Sequence, residues 1–284
     1  GGLSMKKIKR KWAYFVIILT LIIGFSIPHQ VTEAESIDEQ FEQVIENHLD
    51  DENITLDSMK VENDGINIEV STTTTDNEEV SSEIHVIPGS QSIKINSVEI
   101  NNKGKKEVKS YEIMIDTVNN DGDFEGTYKD LDSNKVEKID SEDAMASFAF
   151  AIPIGLNLGA WALNALFHAG AMIIVSGTAF VVASKAPKKD KRYNHFEAVV
   201  KNGTVYIGNG LSSSKATSRL RKGKDTWSVS KNQANNIVKT VKAGKPVGPE
   251  VDKSNGKPRR GYYYHYHPAN RSPKCHAFYG VAVK

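Results

Sequence analysis

Cysteine is almost absent from this chain, since Cys275 is the single cysteine among 284 residues. One cysteine cannot form an intrachain disulfide, so a disulfide-stapled fold is excluded and the hydrophobic core must hold the fold. Hydrophobic residues make up 39% of the chain and charged residues 25%, which excludes a wholly disordered chain. The length exceeds that of one ordinary domain, so we expect about two.

Charge of one sign is scarce in each half of the chain, although the formal net charge is only +1. Residues 35–143 hold 29 Asp and Glu against 9 Lys and Arg, a net charge of −20. Residues 185–284 hold 22 Lys and Arg against 5 Asp and Glu, a net charge of +17. A strongly basic half is typical of polyanion binding, and an acidic half is suited to mask it. The alternative is two solvated surfaces without a partner.

Charge of either sign is missing from residues 144–184, a run of 41 residues without Asp, Glu, Lys or Arg. That length is sufficient for one membrane-spanning helix, or for a tight helical pair that turns near Asn164 or is broken earlier, at Pro153. Gly155 and Gly159 form a GxxxG pattern, which suits close helix packing in lipid. We therefore predict an apolar, membrane-type helical segment here. The alternative is a buried hairpin in the core of the protein.

The N-terminal residues follow the pattern of an export signal. Five Lys and Arg residues occur at positions 6–11, after Met5, and residues 12–27 form an uncharged apolar run. Thr32 and Ala34 supply small residues at a cleavage site. We predict a signal peptide at residues 5–34, with an uncleaved N-terminal anchor as the alternative. The protein is then secreted or associated with a bacterial membrane.

Residues 35–143 predict an acidic α+β module. Apolar residues at helical spacing predict a helix over residues 37–49. Alternating apolar residues between Asn, Asp and Gly clusters predict strands at 66–70, 83–87, 93–95 and 111–118. His48 and His85 stand alone in this module, and no catalytic group of residues accompanies them, so we assign them no role.

Residues 193–284 predict a second, basic α+β module, so the whole chain is assigned to the α+β class. The Asn202-Gly203 pair between two apolar runs indicates a β-hairpin. Ser230 and Gln233 form a capping box, which indicates the start of a helix. The two helices and the last two strands of the module are predicted at 212–222, 230–243, 261–268 and 276–280.

Three of the eight histidines lie near the end of the chain, at His265, His267 and His276. Alternate residues of a strand share a face, so His265 and His267 project together, and a returning strand brings His276 beside them. Two imidazoles with a guanidinium meet the needs of metal-free RNA cleavage. One accepts the 2′-hydroxyl proton, another protonates the leaving 5′-oxygen, and Arg271 stabilises the phosphorane charge. A histidine pKa of about 6.5 allows both tasks at neutral pH.

Cations elsewhere in the basic module are expected to hold the phosphates of the RNA substrate, with salt-dependent affinity. His195 is a further candidate for the site. The expected phosphate-binding residues are Arg219, Arg221, Lys222 and Lys245.

Three alternatives remain open for the histidine cluster. Zinc could bind His265 and His267 together with either His276 or Cys275. The nearby sequence offers no carboxylate to orient the imidazoles, so we assign no metal and no cofactor. Cys275 could be a nucleophile beside His276, although neighbours in a strand point to opposite faces. The histidines could also be ordinary packing groups.

The C-terminal third contains the runs GNGLSSSKATSRLRKGKDTWS and GYYYHYHP…HAFYG. These runs resemble the toxin domain of a family of secreted toxins of staphylococci and bacilli, of the polymorphic-toxin type. The leader, the acidic region and the apolar stretch are similar to the layout of that family. The resemblance implies a toxin with a cognate immunity protein, but it implies no particular reaction. The histidine-rich ending is similar to that of small metal-independent ribonuclease toxins.

We therefore expect a toxin whose C-terminal module cleaves RNA. Two alternatives belong to other classes of function. One is a protein that inserts into or permeabilises a bilayer through residues 144–184. The other is a surface module that binds polyanions without catalysis.

Overall fold

The computed structural model describes residues 37–50, 52–61, 65–74, 76–100, 104–146, 153–185 and 192–284. Residues 37–284 form one compact unit. The unit is a mixture of helices and sheets, which confirms the α+β class. The predicted signal peptide at 5–34 lies outside the described residues.

A first sheet contains seven antiparallel strands in sequence order. Apolar and polar residues alternate along them, as in Glu79–Val86, so one face of the sheet is buried. Helix α1 (Ile37–Asp50) and the four predicted strands are confirmed, whereas three further strands of the sheet escaped prediction. The strands are β1 (Thr55–Val61), β2 (Ile66–Thr73), β3 (Glu79–Val86), β4 (Ile93–Ile100), β5 (Lys106–Val118), β6 (Phe124–Asp130) and β7 (Val136–Asp140).

The apolar segment does not form the long helical element that its composition predicts. It contains the end of a short helix, α2 (Ser141–Ala146), a helix of 15 residues, α3 (Ile154–His168), and a β-hairpin, β8 (Met172–Val175) and β9 (Thr178–Val182). Across the described residues, no helix is both long enough and apolar enough to span a membrane. The expectation of a membrane-type helix at 144–184 is therefore corrected.

Helix α3 is apolar on all sides because it is buried on all sides. Residues 155–166 of α3 are all buried, and the helix packs against β2, β3, β4 and α1. A helix that is hydrophobic all round belongs either in lipid or in the core of a large fold, and sequence alone does not separate the two. Here the first sheet and α1 provide the apolar surroundings.

The glycines of the GxxxG pattern allow α3 to approach the first sheet closely. A Cβ atom at Gly155 would lie 2.2 Å from Ser97 Cβ, and one at Gly159 would lie 2.2 Å from Ile95 Cδ1. Ser82 Oγ donates a 2.7 Å hydrogen bond to the carbonyl of Gly155. The pattern thus serves helix–sheet packing rather than helix–helix packing in lipid.

The expected helical turn near Asn164 is also wrong, whereas the alternative break at Pro153 agrees with the start of α3 directly after that residue. Asn164 lies within α3, where its side-chain amide donates to Asp123 Oδ1 at 3.0 Å and its Oδ1 lies 2.7 Å from His48 Nε2. His48 in turn stacks on His168. The chain reverses instead at Ser176-Gly177, both with positive φ, between β8 and β9.

A second sheet contains β8, β9 and six further strands. These are β10 (His195–Lys201), β11 (Thr204–Leu211), β12 (Thr226–Ser228), β13 (Val247–Glu250), β16 (His265–His267) and β17 (Ala277–Tyr279), while β14 (Lys253–Ser254) pairs separately with β15 (Lys257–Pro258). The order of the sheet is β13-β16-β17-β12-β10-β11-β9-β8, and only its β12–β17 pair is parallel. The hairpin predicted at Asn202-Gly203 is confirmed between β10 and β11.

Both predicted helices of the basic module are confirmed and cover one face of this sheet. Helix α4 (Ser213–Arg221) is capped by Ser212, and α5 (Lys231–Lys239) is capped by Ser230. The second helix ends earlier than predicted, at Lys239. Leu220, Ile237 and Ala277 are among the buried residues that join the helices to the sheet.

The hairpin β8–β9 connects the two sheets. Strand β9 pairs with β11 in the second sheet. Ala179 of β9 also exchanges two backbone hydrogen bonds with the β3–β4 turn, from its amide to Ser90 and from the Gly89 amide to its carbonyl. One hydrophobic core continues from the first sheet into the second. The module boundaries at 143/144 and 184/193 stay predictions, but the segment between them supplies two strands of the second sheet and packs α3 against the first.

Candidate active site at the histidine cluster

Strands β16 and β17 bring the three predicted histidines together. His265 pairs with Phe278 across the two strands, and His276 precedes β17 directly. The ring centroids lie 5.0 Å apart for His265 and His267, 5.0 Å for His265 and His276, and 4.7 Å for His267 and His276. One ring nitrogen from each residue lies within 4.8 Å of the other two. The name histidine cluster is used below for His265, His267 and His276.

All three rings are anchored through Nδ1. His265 Nδ1 donates to the carbonyl of Tyr263 at 3.2 Å, and His267 Nδ1 donates to the carbonyl of Cys275 at 3.0 Å. His276 Nδ1 donates to Asp225 Oδ1 at 3.0 Å. Carbonyl and carboxylate oxygens only accept, so each Nδ1 carries the hydrogen. The Nε2 atoms are therefore the ones left to meet a reactant or ligand.

A second carboxylate, Glu250 at the end of β13, faces the cluster. Its Oε1 lies 2.8 Å from His267 Nε2 and 3.6 Å from His265 Nε2. Arg271 forks onto the same carboxylate, donating from its two terminal nitrogens at 2.6 and 2.8 Å. Hydrogen bonds with Arg271 and, to a smaller extent, with His267 lower the pKa of Glu250 to about 2. The carboxylate is therefore ionised throughout the physiological range.

The three histidines differ in how far their side chains are buried. The side chains of His265 and His267 are 6% and 9% exposed, whereas that of His276 is 40% exposed. Burial lowers the pKa of both His265 and His267, and the nearby His276 lowers each further. His276 is therefore the member that a large substrate reaches first.

Comparison with known proteins found no matching family model, curated protein or solved structure. The resemblance to secreted toxins thus stays an expectation drawn from the sequence runs. The chemistry of the cluster has to be inferred from its own geometry.

The two carboxylates are what the sequence analysis missed. The premise that no carboxylate orients the imidazoles is wrong, because Asp225 and Glu250 both contact the cluster. Glu250 lies 17 residues before His267, and Asp225 lies 51 residues before His276. The sequence offered one signal, the small number of acidic residues in this basic module, where residues 185–284 hold only 5 Asp and Glu.

The predicted phosphate-binding residues differ in how freely they face solvent. Arg219 pairs with Glu197 at 2.7 Å and donates to the carbonyls of Asp225 and Ala198, so its guanidinium is engaged inside the protein. Arg221 donates to the carbonyl of Thr240 at the end of α5. Lys222 and Lys245 are exposed.

Cys275 is a packing residue in this structure. It is buried, its Sγ donates to the carbonyl of Leu220 at 3.4 Å, and burial raises its pKa to about 12. A thiol that holds its proton so strongly is a poor nucleophile. The alternative of a cysteine nucleophile is therefore not favoured.

His195 lies on the opposite face of the second sheet from the cluster. It pairs with Ser228, whereas His265 shares its face with Phe278 and Trp227. Its ring lies between Ser228 Oγ at 2.9 Å and Ser213 Oγ at 3.2 Å, and it borders a polar cleft of about 470 Å³ between α4 and α5. The expectation that His195 reaches the cluster is thus corrected.

Proposed function

We propose that the protein is an exported or membrane-associated bacterial toxin whose histidine cluster cleaves RNA without a metal. One observation carries the catalytic part of this proposal. Within the cluster, one imidazole is backed by a carboxylate and open to solvent, while another meets a second, ionised carboxylate through Nε2. Export, toxicity and a cognate immunity protein rest on the sequence patterns alone.

His276 has the features of the general base. Asp225 fixes its Nδ1–H, so the Nε2 lone pair points away from that anchor. A carboxylate in this position holds the tautomer and stabilises the imidazolium that forms when the ring takes a proton. His276 is also the most exposed member of the cluster. It is therefore suited to accept the proton of the RNA 2′-hydroxyl.

His267 has the features of the general acid. Its Nδ1 donates to the Cys275 carbonyl, and its Nε2 lies 2.8 Å from the ionised Glu250. The Cys275 carbonyl and the Glu250 carboxylate only accept hydrogen bonds, so His267 donates to both when Nδ1 and Nε2 each carry a hydrogen. Burial lowers the pKa of His267, so such an imidazolium releases its Nε2 proton readily. His265 packs edge-on against both rings and holds them in place.

The proposed step balances without a cofactor. The 2′-oxygen attacks the adjacent phosphorus as His276 takes its proton, and the bond from phosphorus to the 5′-oxygen breaks as His267 protonates that oxygen. The products are a 2′,3′-cyclic phosphate and a free 5′-hydroxyl. Proton exchange with water then restores both rings. Arg271, with a side chain 49% exposed, lies at the edge of the cluster, where a phosphate oxygen would meet its guanidinium.

The test uses the purified full chain with labelled RNA and a matched strand that lacks the 2′-hydroxyl. In the presence of EDTA, we expect the RNA to be cleaved and the strand without the 2′-hydroxyl to stay intact. The rate should have a bell-shaped pH dependence, because one group must be deprotonated as the base and the other protonated as the acid. Alanine at position 267 or 276 removes a proton-transfer group and should reduce the rate by about 10²- to 10⁴-fold. Alanine at position 265 removes the ring that packs against both and should also reduce the rate.

Tyr264→Phe is the matched control, because Tyr264 stacks on Tyr279 on the other face of the strand pair and should leave the rate nearly unchanged. Cleavage of the 2′-deoxy strand would rule out attack by the 2′-oxygen. Equal rates for wild type and all three alanine variants would move the site elsewhere.

A further inference from the structure

The Nδ1 anchors also give the cluster the form of a metal site. Metal-binding histidines usually donate the other ring N–H to a carbonyl or a carboxylate, which fixes the ring and leaves one nitrogen free for the metal. Two backbone carbonyls and Asp225 do this for the three rings. One nitrogen from each ring lies within 4.8 Å of one nitrogen from each of the other two. At a tetrahedral zinc, with bonds of about 2.0–2.1 Å, ligand nitrogens stand about 3.3 Å apart.

We infer that the histidine cluster binds one transition-metal ion, Zn²⁺ or a close analogue, and that binding switches off the proposed RNA cleavage. The metal-binding part stands on geometry alone. The inhibitory part rests on the proposed function.

The donor set selects the class of metal. Three imidazole nitrogens suit zinc, cobalt, nickel or copper, whereas magnesium and calcium prefer oxygen ligands. Glu250 supplies a fourth ligand, since its Oε1 lies on the side of the cluster where His265 and His267 present Nε2. The rings need to close by up to about 1.5 Å to reach tetrahedral spacing. His276, the least buried of the three, has the most freedom to make this movement.

Metal binding and proton transfer compete for the same atoms. A metal ion occupies the Nε2 lone pair with which His276 would accept the substrate proton. It also displaces the Nε2 proton that His267 would donate, and that proton passes to water. Glu250 then turns from His267 to the metal. With a metal ion bound, His276 has no free Nε2 lone pair to accept a proton, and His267 has no Nε2 proton to donate.

The test begins with chelator-treated full chain, titrated with Zn²⁺ by calorimetry and with Co²⁺ by visible absorption. We expect one ion per chain and a tetrahedral cobalt spectrum. Asp225→Asn, which keeps the ligands but weakens an anchor, should reduce affinity about 10- to 100-fold. His276→Gln, which removes a ligand at the more exposed position, should reduce it further. His85→Gln in the first sheet is the control and should bind as wild type does.

RNA cleavage is measured in parallel, with and without stoichiometric zinc. Loss of cleavage with zinc, and its return with EDTA, is the expected result. A folded protein that binds no Zn²⁺ or Co²⁺ would overturn the site itself. Binding that raises the cleavage rate would overturn inhibition and make the ion a cofactor. Binding by a protein that never cleaves RNA would leave the metal site standing and refute the proposed function.

Discussion

Three histidines of the second sheet lie almost fully inside the protein. Counted over the whole residue, backbone included, His195, His265 and His267 are 3%, 4% and 7% exposed, and burial lowers the pKa of each. Burial makes the charged form of each ring less favourable than it is in the unfolded chain, although an imidazolium still forms as pH falls. In the unfolded chain the histidines titrate at about 6.5.

This difference predicts how stability depends on pH. With a lowered pKa in the folded state, the unfolded state binds more protons as pH falls through about 6.5, so the free energy of unfolding decreases. We expect the melting temperature of chelator-treated protein to be steady above pH 7 and to fall between pH 7 and 5.5. Glu250, with a pKa of about 2, stays ionised across this window. Thermal unfolding monitored by circular dichroism measures the effect.

His195→Gln should flatten the pH dependence, because it removes one of the three titrating rings. A melting temperature that rises on acidification through the same window would contradict the prediction.

The residue scale also explains which parts of the site the sequence predicts. Strand alternation is local, so the HxH pattern was enough to place His265 and His267 on one face. The positions of Asp225 and Glu250 depend on pairing between distant strands: Glu250 lies opposite His265 because β13 pairs with β16. No local pattern specifies that pairing. For this reason the carboxylates became visible only in the folded chain.

Among the elements, α3 shows how an uncharged run can be misread. Its sequence meets the composition of a membrane helix, and its GxxxG pattern fits that interpretation. Both properties equally suit a helix enclosed by a sheet and a second helix, since both surroundings are apolar. The end of the uncharged run forms a β-hairpin instead, with its turn at Ser176-Gly177. The β-branched residues on either side of that turn favour strands.

The packing of α3 gives a prediction at this scale. In Gly155→Ala the new Cβ would collide with Ser97 Cβ and Oγ, so the helix must move away from β4. We expect a loss of stability of about 1–3 kcal/mol from overpacking, although alanine favours the helix itself. Chemical denaturation compares the variant with wild type. Met114→Ala, at an exposed position of β5, is the control and should change stability by less than about 0.5 kcal/mol.

A variant as stable as wild type would mean that α3 does not need the close approach to β4 at Gly155.

On the scale of the whole molecule, the two sheets share one core. Ile95 of β4, Leu158 of α3 and Ile207 of β11 belong to the same cluster of buried residues. Elements that share a core tend to unfold together. The opposed charges of the two halves, which suggested separable modules, therefore lie within one compact unit.

Two tryptophans allow this to be measured. Trp161 lies in α3 beside the first sheet, and Trp227 lies in β12 of the second. Trp161→Phe leaves Trp227 as the fluorescent reporter of the unit, and Trp227→Phe leaves Trp161. In each variant we expect the unfolding midpoint from tryptophan fluorescence to coincide with the midpoint that circular dichroism gives for the same variant. Two well-separated midpoints would contradict a shared core and favour independent modules.

The β8–β9 hairpin has a further consequence for any shortened form of the protein. Tyr206 and Ile207 of β11 pair with β9, so a fragment that begins after residue 185 leaves that side of β11 open. Unpaired amide and carbonyl groups along an open strand are a template for a strand from another chain. Such a fragment would tend to associate with itself or to capture foreign strands. Any effect of such a fragment on a cell would then report aggregation as well as the proposed RNA cleavage.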